Sequence, residues 1–111
     1  MYKFVTIYRR VDDMDMLEQF FSTVHLQLAE QLPGLQKREV SRVTHKPGAR
    51  ESRYHLMFEL YFASEDSFQA AMRSPVGSQL VAALKPWSDA KIITWFFAES
   101  FAEEAEAPRS D

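Results

Sequence analysis

The sequence predicts an α+β fold of order βαββαβ, a four-stranded antiparallel sheet with both helices on one face. Three observations predict it. Four stretches, the first rich in Tyr, Phe, Val, Thr and Ile, read as strands, and two others repeat apolar residues every three or four positions. Turn and capping residues separate them in the order that two βαβ halves require. The length of 111 residues fits one domain and leaves no room for two.

Tyr2 to Arg10 runs without a breaker and reads as the first strand. Asp12 and Asp13 then offer helix N-caps. Behind them Leu17, Phe20, Phe21, Val24, Leu28 and Leu32 build one apolar face of a long helix, which Pro33-Gly34 ends. Leu35 to Thr44 is a second strand, polar enough (Lys37, Arg38, Glu39, Ser41, Arg42) to suit a sheet edge. A loop over His45 to Ser52 holds Pro47-Gly48. In the third strand, Arg53 to Phe62, the residues Tyr54, Leu56, Phe58, Leu60 and Phe62 point one way, and His55, Met57, Glu59 and Tyr61 the other.

Ser64 caps the second helix, with Glu65 and Asp66 at its positive end and Phe68, Ala71 and Met72 on its buried side. Ser74-Pro75 breaks it, and a short helical piece follows from Val76 to Leu84. The fourth strand, about Ala90 to Glu99, is the most apolar segment. Residues 1–101 thus form a ferredoxin-like domain, with strands one and three central. Residues 102–111, acidic and small, read as a disordered tail.

Composition narrows the function. Thirteen basic and sixteen acidic residues give a net charge of −3 without a basic stripe, which argues against nucleic acid. The absence of cysteine excludes disulfides and thiolate chemistry. No apolar run approaches the ~20 residues that span a bilayer, and the chain starts in a strand rather than a signal peptide, so the expected location is the cytoplasm.

The apolar load also predicts a homodimer. A sheet covered on one face should be polar on the other, yet the fourth strand sets Ile92, Thr94 and Phe96 against Ile93, Trp95 and Phe97. A second copy laid sheet against sheet would cover the open face, and glutamate at Trp95 or Phe97 should then dissociate or unfold the protein. The alternative is a monomer whose tail folds back. Which strand face meets the helices is open.

The run His25-Leu26-Gln27-Leu28-Ala29, then Leu32-Pro33-Gly34-Leu35, resembles the helix-end pattern of EthD-domain proteins. Met57 to Phe62, then Ser64, Ala71, Ser74-Pro75 and Gly77, resemble that family too. The family is named for a protein encoded beside genes of ethyl tert-butyl ether degradation. The resemblance implies a dimeric α+β barrel, and superfamily relatives that are cofactor-free monooxygenases, cyclases and isomerases. One departure is Gln27, where the family often has Pro.

His25 is the first candidate for catalysis. At ~100° per residue it lies about 60° from the centre of the helix's apolar face, beside Phe21 and Leu32, and can edge toward the sheet. An imidazole there suits general acid–base work, and the resemblance points to the same residue. The alternative is a half-exposed histidine satisfied by backbone or water. His55 is the second candidate: His55 or Tyr61 would orient the substrate, and His55 and Glu59, ~13 Å apart on one strand face with Tyr61, could line one cavity or the dimer interface. Glu59 paired with an arginine across the interface is an equal alternative. Phe21 and Trp87 are expected to line the site of a small hydrophobic metabolite, or else simply to pack. The histidines, with His45 in a loop, lack metal-ligand spacing. Three glycines make no phosphate loop, and no Ser-His-Asp pattern is present. No cofactor is expected. The resemblance thus implies an EthD-like oxidoreductase, cyclase or isomerase; a non-catalytic dimeric binding or accessory protein is the second reading.

Overall fold

The computed structural model describes residues 1–103 and 105. Four strands, β1 (Tyr2–Arg9), β2 (Leu35–Arg42), β3 (Tyr54–Phe62) and β4 (Ile93–Glu99), form one antiparallel sheet in the order β2-β3-β1-β4. This is the ferredoxin-like layout with β1 and β3 central. The expected tail, residues 102–111, lies for the most part outside the described residues.

The first helix is α1 (Met14–Phe20), a π-helical segment (Phe21–His25) and α2 (Leu26–Ala29) run end to end. Asp13 caps it by accepting from the Met16 amide at 3.0 Å. In the π segment the Leu26 amide reaches back five residues to the Phe21 carbonyl. The hydroxyls of Ser22 and Thr23 donate to the carbonyls of Glu18 and Gln19 at 3.0 and 2.6 Å. Such back-bonding loosens the ordinary ladder. The consequence is a stride of four: Leu17, Phe21, His25 and Ala29 are all buried. Regular geometry would rotate each step by about 40° away from the core; the wider π turn absorbs that drift. His25 is therefore on the buried line, not about 60° aside as regular geometry predicts.

The second helical layer is longer than expected. Ser64 caps α3 (Glu65–Arg73) by accepting from the Ser67 amide. Ser74 ends α3 and caps α4 (Pro75–Asp89), accepting from the Gly77 amide at 3.2 Å. Pro86 does not stop α4: it forgoes one bond, to the carbonyl four residues back, and the helix continues to Asp89. Ala90, Lys91 and Ile92 close that helix through their amides to Pro86, Ser88 and Trp87, so β4 begins at Ile93 rather than Ala90.

The structure decides the faces. Tyr2, Phe4 and Tyr8 of β1, with Leu56, Phe58, Leu60 and Phe62 of β3, face the helices, where Phe68, Leu17, Phe21, Leu80 and Leu84 meet them. Trp95 and Phe97 lie on this side too, their rings 6.3 and 5.4 Å from that of Phe4. They are not on the open face, and glutamate there would strike the fold rather than a sheet-to-sheet contact. By strand alternation the open face carries Val5, Ile7, Met57 and Phe96 beside a charged group. In that group Lys3 pairs with Glu59 at 2.8 Å and Lys37 with Glu39 at 3.1 Å. The open face is thus part apolar and part ionic, more polar than the sequence reading implies.

Candidate functional site

His25 is 1% exposed, and its Nδ1 lies 2.5 Å from the hydroxyl of Tyr8, which is itself fully buried. The two rings stack with their centroids 5.7 Å apart, and Phe21 and Phe58 set their edges against the imidazole at 5.8 and 5.0 Å. Phe20 lies on another side, and Trp87 packs on Phe20 at 4.6 Å. The alternative of a half-exposed histidine is thereby excluded. Burial lowers the His25 pKa to about 3, so the ring is neutral at ordinary pH. The Tyr8 hydroxyl is held protonated far above its usual range, by burial first and by the charge of Glu18 second. With Nδ1 accepting from the Tyr8 O–H, the other nitrogen, Nε2, carries the ring proton; the opposite tautomer reverses that bond.

Glu18, whose charge acts on Tyr8, binds the second histidine. Its carboxylate lies 2.5 Å from His55 Nε2 and binds both terminal nitrogens of the Arg42 guanidinium. The Arg42 bond and then that of His55 hold the Glu18 carboxyl below its usual range against the opposing effect of burial. His25, Tyr8, Glu18, His55 and Arg42 thus gather where the first helix crosses one end of the sheet.

The expected residues are divided by the sheet. His55 does not share a face with Glu59 and Tyr61. In the β1–β3 register Tyr8 pairs with Leu56 and Arg9 with Tyr54, which leaves His55 as an extra, bulged residue. A bulge breaks alternation, and His55 turns to the helix side and Glu18. Glu59 remains on the open face, 6% exposed, paired with Lys3 and accepting from the Tyr61 hydroxyl at 3.5 Å. Its partner is a lysine of the same chain. Lys3 and Lys37 both sit over the Tyr61 ring. Within one subunit, neither Glu59 nor Tyr61 can reach a substrate held at His25, since the sheet lies between them. Phe21 and Trp87 are on the His25 side, Phe21 in direct contact and Trp87 behind Phe20.

Tyr8, Glu18 and Arg42 escape a reading of the sequence. Tyr8 looks like any aromatic of an alternating strand, and Glu18 like a solvated helix residue. The adjacent hydroxyls Ser22-Thr23 are the signal that marks the helix irregularity. Among the described residues no group of three or more His, Asp or Glu could hold a metal ion, and no helix is long and apolar enough to cross a membrane.

Comparison with known proteins gives the following. An EthD family protein from Bacillus halodurans is 28% identical and superposes with a TM-score of 0.77, over 91% of this chain and 99% of that one. SnoaB, a cofactor-independent oxygenase from Streptomyces nogalater, is 13% identical with a TM-score of 0.61, over 94% of each chain. A dimeric ferredoxin-like protein of unknown function from Thermobifida fusca is 17% identical with a TM-score of 0.58, over 87% of this chain and 88% of that one. The last two share the fold alone. A search of the curated proteins returned no match. The family model of the EthD domain matches residues 12–89, from the cap of the first helix through both candidate histidines to the end of α4. The chain belongs to the EthD-domain family.

Proposed function

We propose that this chain is a small-molecule enzyme of EthD type in which His25 moves a proton on a hydrophobic or cyclic substrate. One observation carries the reading. In a core otherwise built of Phe and Leu, a histidine and a tyrosine are buried together and bonded at 2.5 Å. Apolar side chains of similar volume would fill that space at lower desolvation cost. A buried polar pair that stability does not require is the kind of local inconsistency that collects at functional sites.

The chemistry follows from the neutral ring. In the tautomer whose Nδ1–H donates to the Tyr8 oxygen, Nε2 keeps a free lone pair and is the nitrogen left for a substrate. A neutral imidazole at this depth accepts a proton when a negative charge develops beside it and pairs with the imidazolium. That condition suits an acidic C–H next to a carbonyl. The proton passes to Nε2, and the electron pair of the broken C–H bond moves onto the carbonyl oxygen as an enolate. Cyclisation and isomerisation both start from such an anion. Oxidation needs dioxygen acting on an electron-rich substrate, or a separate electron donor, since the side chains supply no redox group. Phe21, Phe58, Phe20 and Trp87 provide flat apolar walls for a ring system. His55, held by Glu18, is the orienting group. Reaching Nε2 in so full a core requires the first helix to shift, and its π segment is the irregular point.

We further propose a cytoplasmic homodimer closed through the open face, where the partly exposed Ile7 and Met57 and the half-exposed Phe96 need cover. The fold is shared with a protein described as dimeric.

A binding or accessory role is favoured by a different observation. A recess of about 220 Å³ between α3, α4 and β4 is lined by Phe4, Phe68, Met72, Leu84, Trp95 and Phe97 and by no titratable group. A metabolite seated there would be held without chemistry. The test is proton exchange in heavy water, followed by NMR over a panel of cyclic and aromatic ketones. Catalysis predicts exchange by the natural chain that falls about 100-fold or more in His25→Gln, with ligand binding kept. Exchange unchanged by that substitution, or binding without exchange for every ketone, supports the accessory role.

A further inference from the structure

At the end of the sheet where β1 finishes and β3 and β4 begin, Arg9, Arg10, Arg53 and Lys91 surround a recess of about 420 Å³, with Val11, Ala90 and Ile92 completing it. We propose that this recess binds an oxyanion, the phosphate or carboxylate group of a small anionic ligand. The proposal goes beyond the His25 reading and does not depend on it.

The four cations sit on a frame of backbone bonds rather than on loose loops. The Arg9 amide donates to Ile92 O at 2.8 Å, which holds Arg9 beside Lys91. The Arg10 amide donates to Arg53 O at 2.7 Å, which holds those two together. Cations gathered around one recess repel one another, and an anion relieves that repulsion.

Their pairing is sparser than that of the other described cations, of which only Lys46, Arg50 and Arg73 also lack a carboxylate partner. Among the described residues Lys3, Lys37, Arg38, Arg42 and Lys85 each contact a carboxylate. At the recess only Arg10 does, with Glu51 at a long 3.9 Å, and Arg9, Arg53 and Lys91 form no ion pair. Asp12 and Glu51 line the neighbouring cleft with Arg10 and Arg53, leaving the Arg9 and Lys91 side without a carboxylate in its lining.

Lys91 adds an independent sign. It has φ +62°, the one positive value for a non-glycine among the described residues. The left-handed position after a helix is where glycine is ordinarily preferred, and a lysine there bears strain that a glycine would not. The strained position presents a cation to the recess. Arginine forks match the paired oxygens of phosphate and carboxylate. With a net charge of −3 over the chain, the local cluster suits a small anion rather than a nucleic-acid backbone.

The test is titration of the full chain with inorganic phosphate at constant ionic strength, followed through backbone amides by NMR, with malonate and chloride as parallel arms. The expected result is saturable shifts confined to Arg9, Arg10, Arg53, Lys91 and Ile92. Arg53→Gln should weaken binding about fivefold or more. Lys91→Gly should do the same while melting no lower than the natural chain, because glycine relieves the left-handed strain; this variant separates lost binding from lost folding. Tighter binding of phosphate or of malonate would name the ligand class. Shifts that chloride reproduces, that spread equally to Arg73 and Lys85, or that survive both substitutions would overturn the proposal, as would no shift at all.

Discussion

Removing one oxygen atom tests the buried pair most directly. Tyr8→Phe deletes the hydroxyl that meets His25 Nδ1 at 2.5 Å and leaves the ring in place. Because His25 is 1% exposed, no water replaces the lost partner easily. A buried acceptor left without its bond costs about 1–3 kcal/mol. For a domain of this size each kcal/mol moves the melting temperature by about 4–8 °C, so a fall of roughly 5–15 °C is expected. His25→Leu, which orphans the tyrosine hydroxyl instead, should cost a similar amount. The double variant removes both polar groups and fills the space with apolar atoms, so its cost should be less than the sum of the singles by about 1–3 kcal/mol. Denaturant unfolding of the four proteins at one fixed protein concentration measures this, since association would otherwise enter the stability. If the two single costs simply add, or Tyr8→Phe changes stability by less than about 0.3 kcal/mol, the hydrogen bond is not the coupling described here.

Three further outcomes follow from the same structure. Burial lowers the His25 pKa from 6.5 to about 3, so between those values the unfolded chain binds a proton that the folded chain does not. The stability from burying the neutral ring is complete above about pH 6.5 and is lost as pH falls, by up to about 1.4 kcal/mol per unit. Unfolding curves of His25→Leu should therefore be flatter between pH 6.5 and the carboxylate range, and identical slopes would contradict the assignment. Phe96→Glu should leave the fold intact and convert dimer to monomer in sedimentation, whereas Phe97→Glu should lower the melting temperature; a Phe96→Glu dimer of unchanged strength would argue against closure through the open face. At Gly77 an added Cβ would lie 2.4 Å from the Ala71 carbonyl oxygen and 2.7 Å from Met72 Cα. Gly77→Ala should therefore cost about 1–3 kcal/mol through overpacking, and a melt within a degree of the natural chain would refute the contact.

By itself the sequence determined the order of elements, the central and edge strands, the caps at Asp13 and Ser64, and the apolar faces of the helices. These are local properties: alternation by two or by three and four is written along each segment, and a capping side chain acts within three residues of itself. The sequence also pointed to His25, through periodicity and family pattern together. Tertiary structure alone decided which face of each strand meets the helices, because a two-residue period is the same seen from either side. It decided the depth of His25, since the π segment replaces the rotation that regular geometry assumes. It brought Tyr8 to His25 and Glu18 to His55 across 17 and 37 residues of chain. It also separated His55 from Glu59 and Tyr61, because one bulged residue reverses the face that alternation assigns. Arg9, Arg10, Arg53 and Lys91 likewise look scattered in one dimension. Strand register, a property of pairing between segments, is what draws them around one recess.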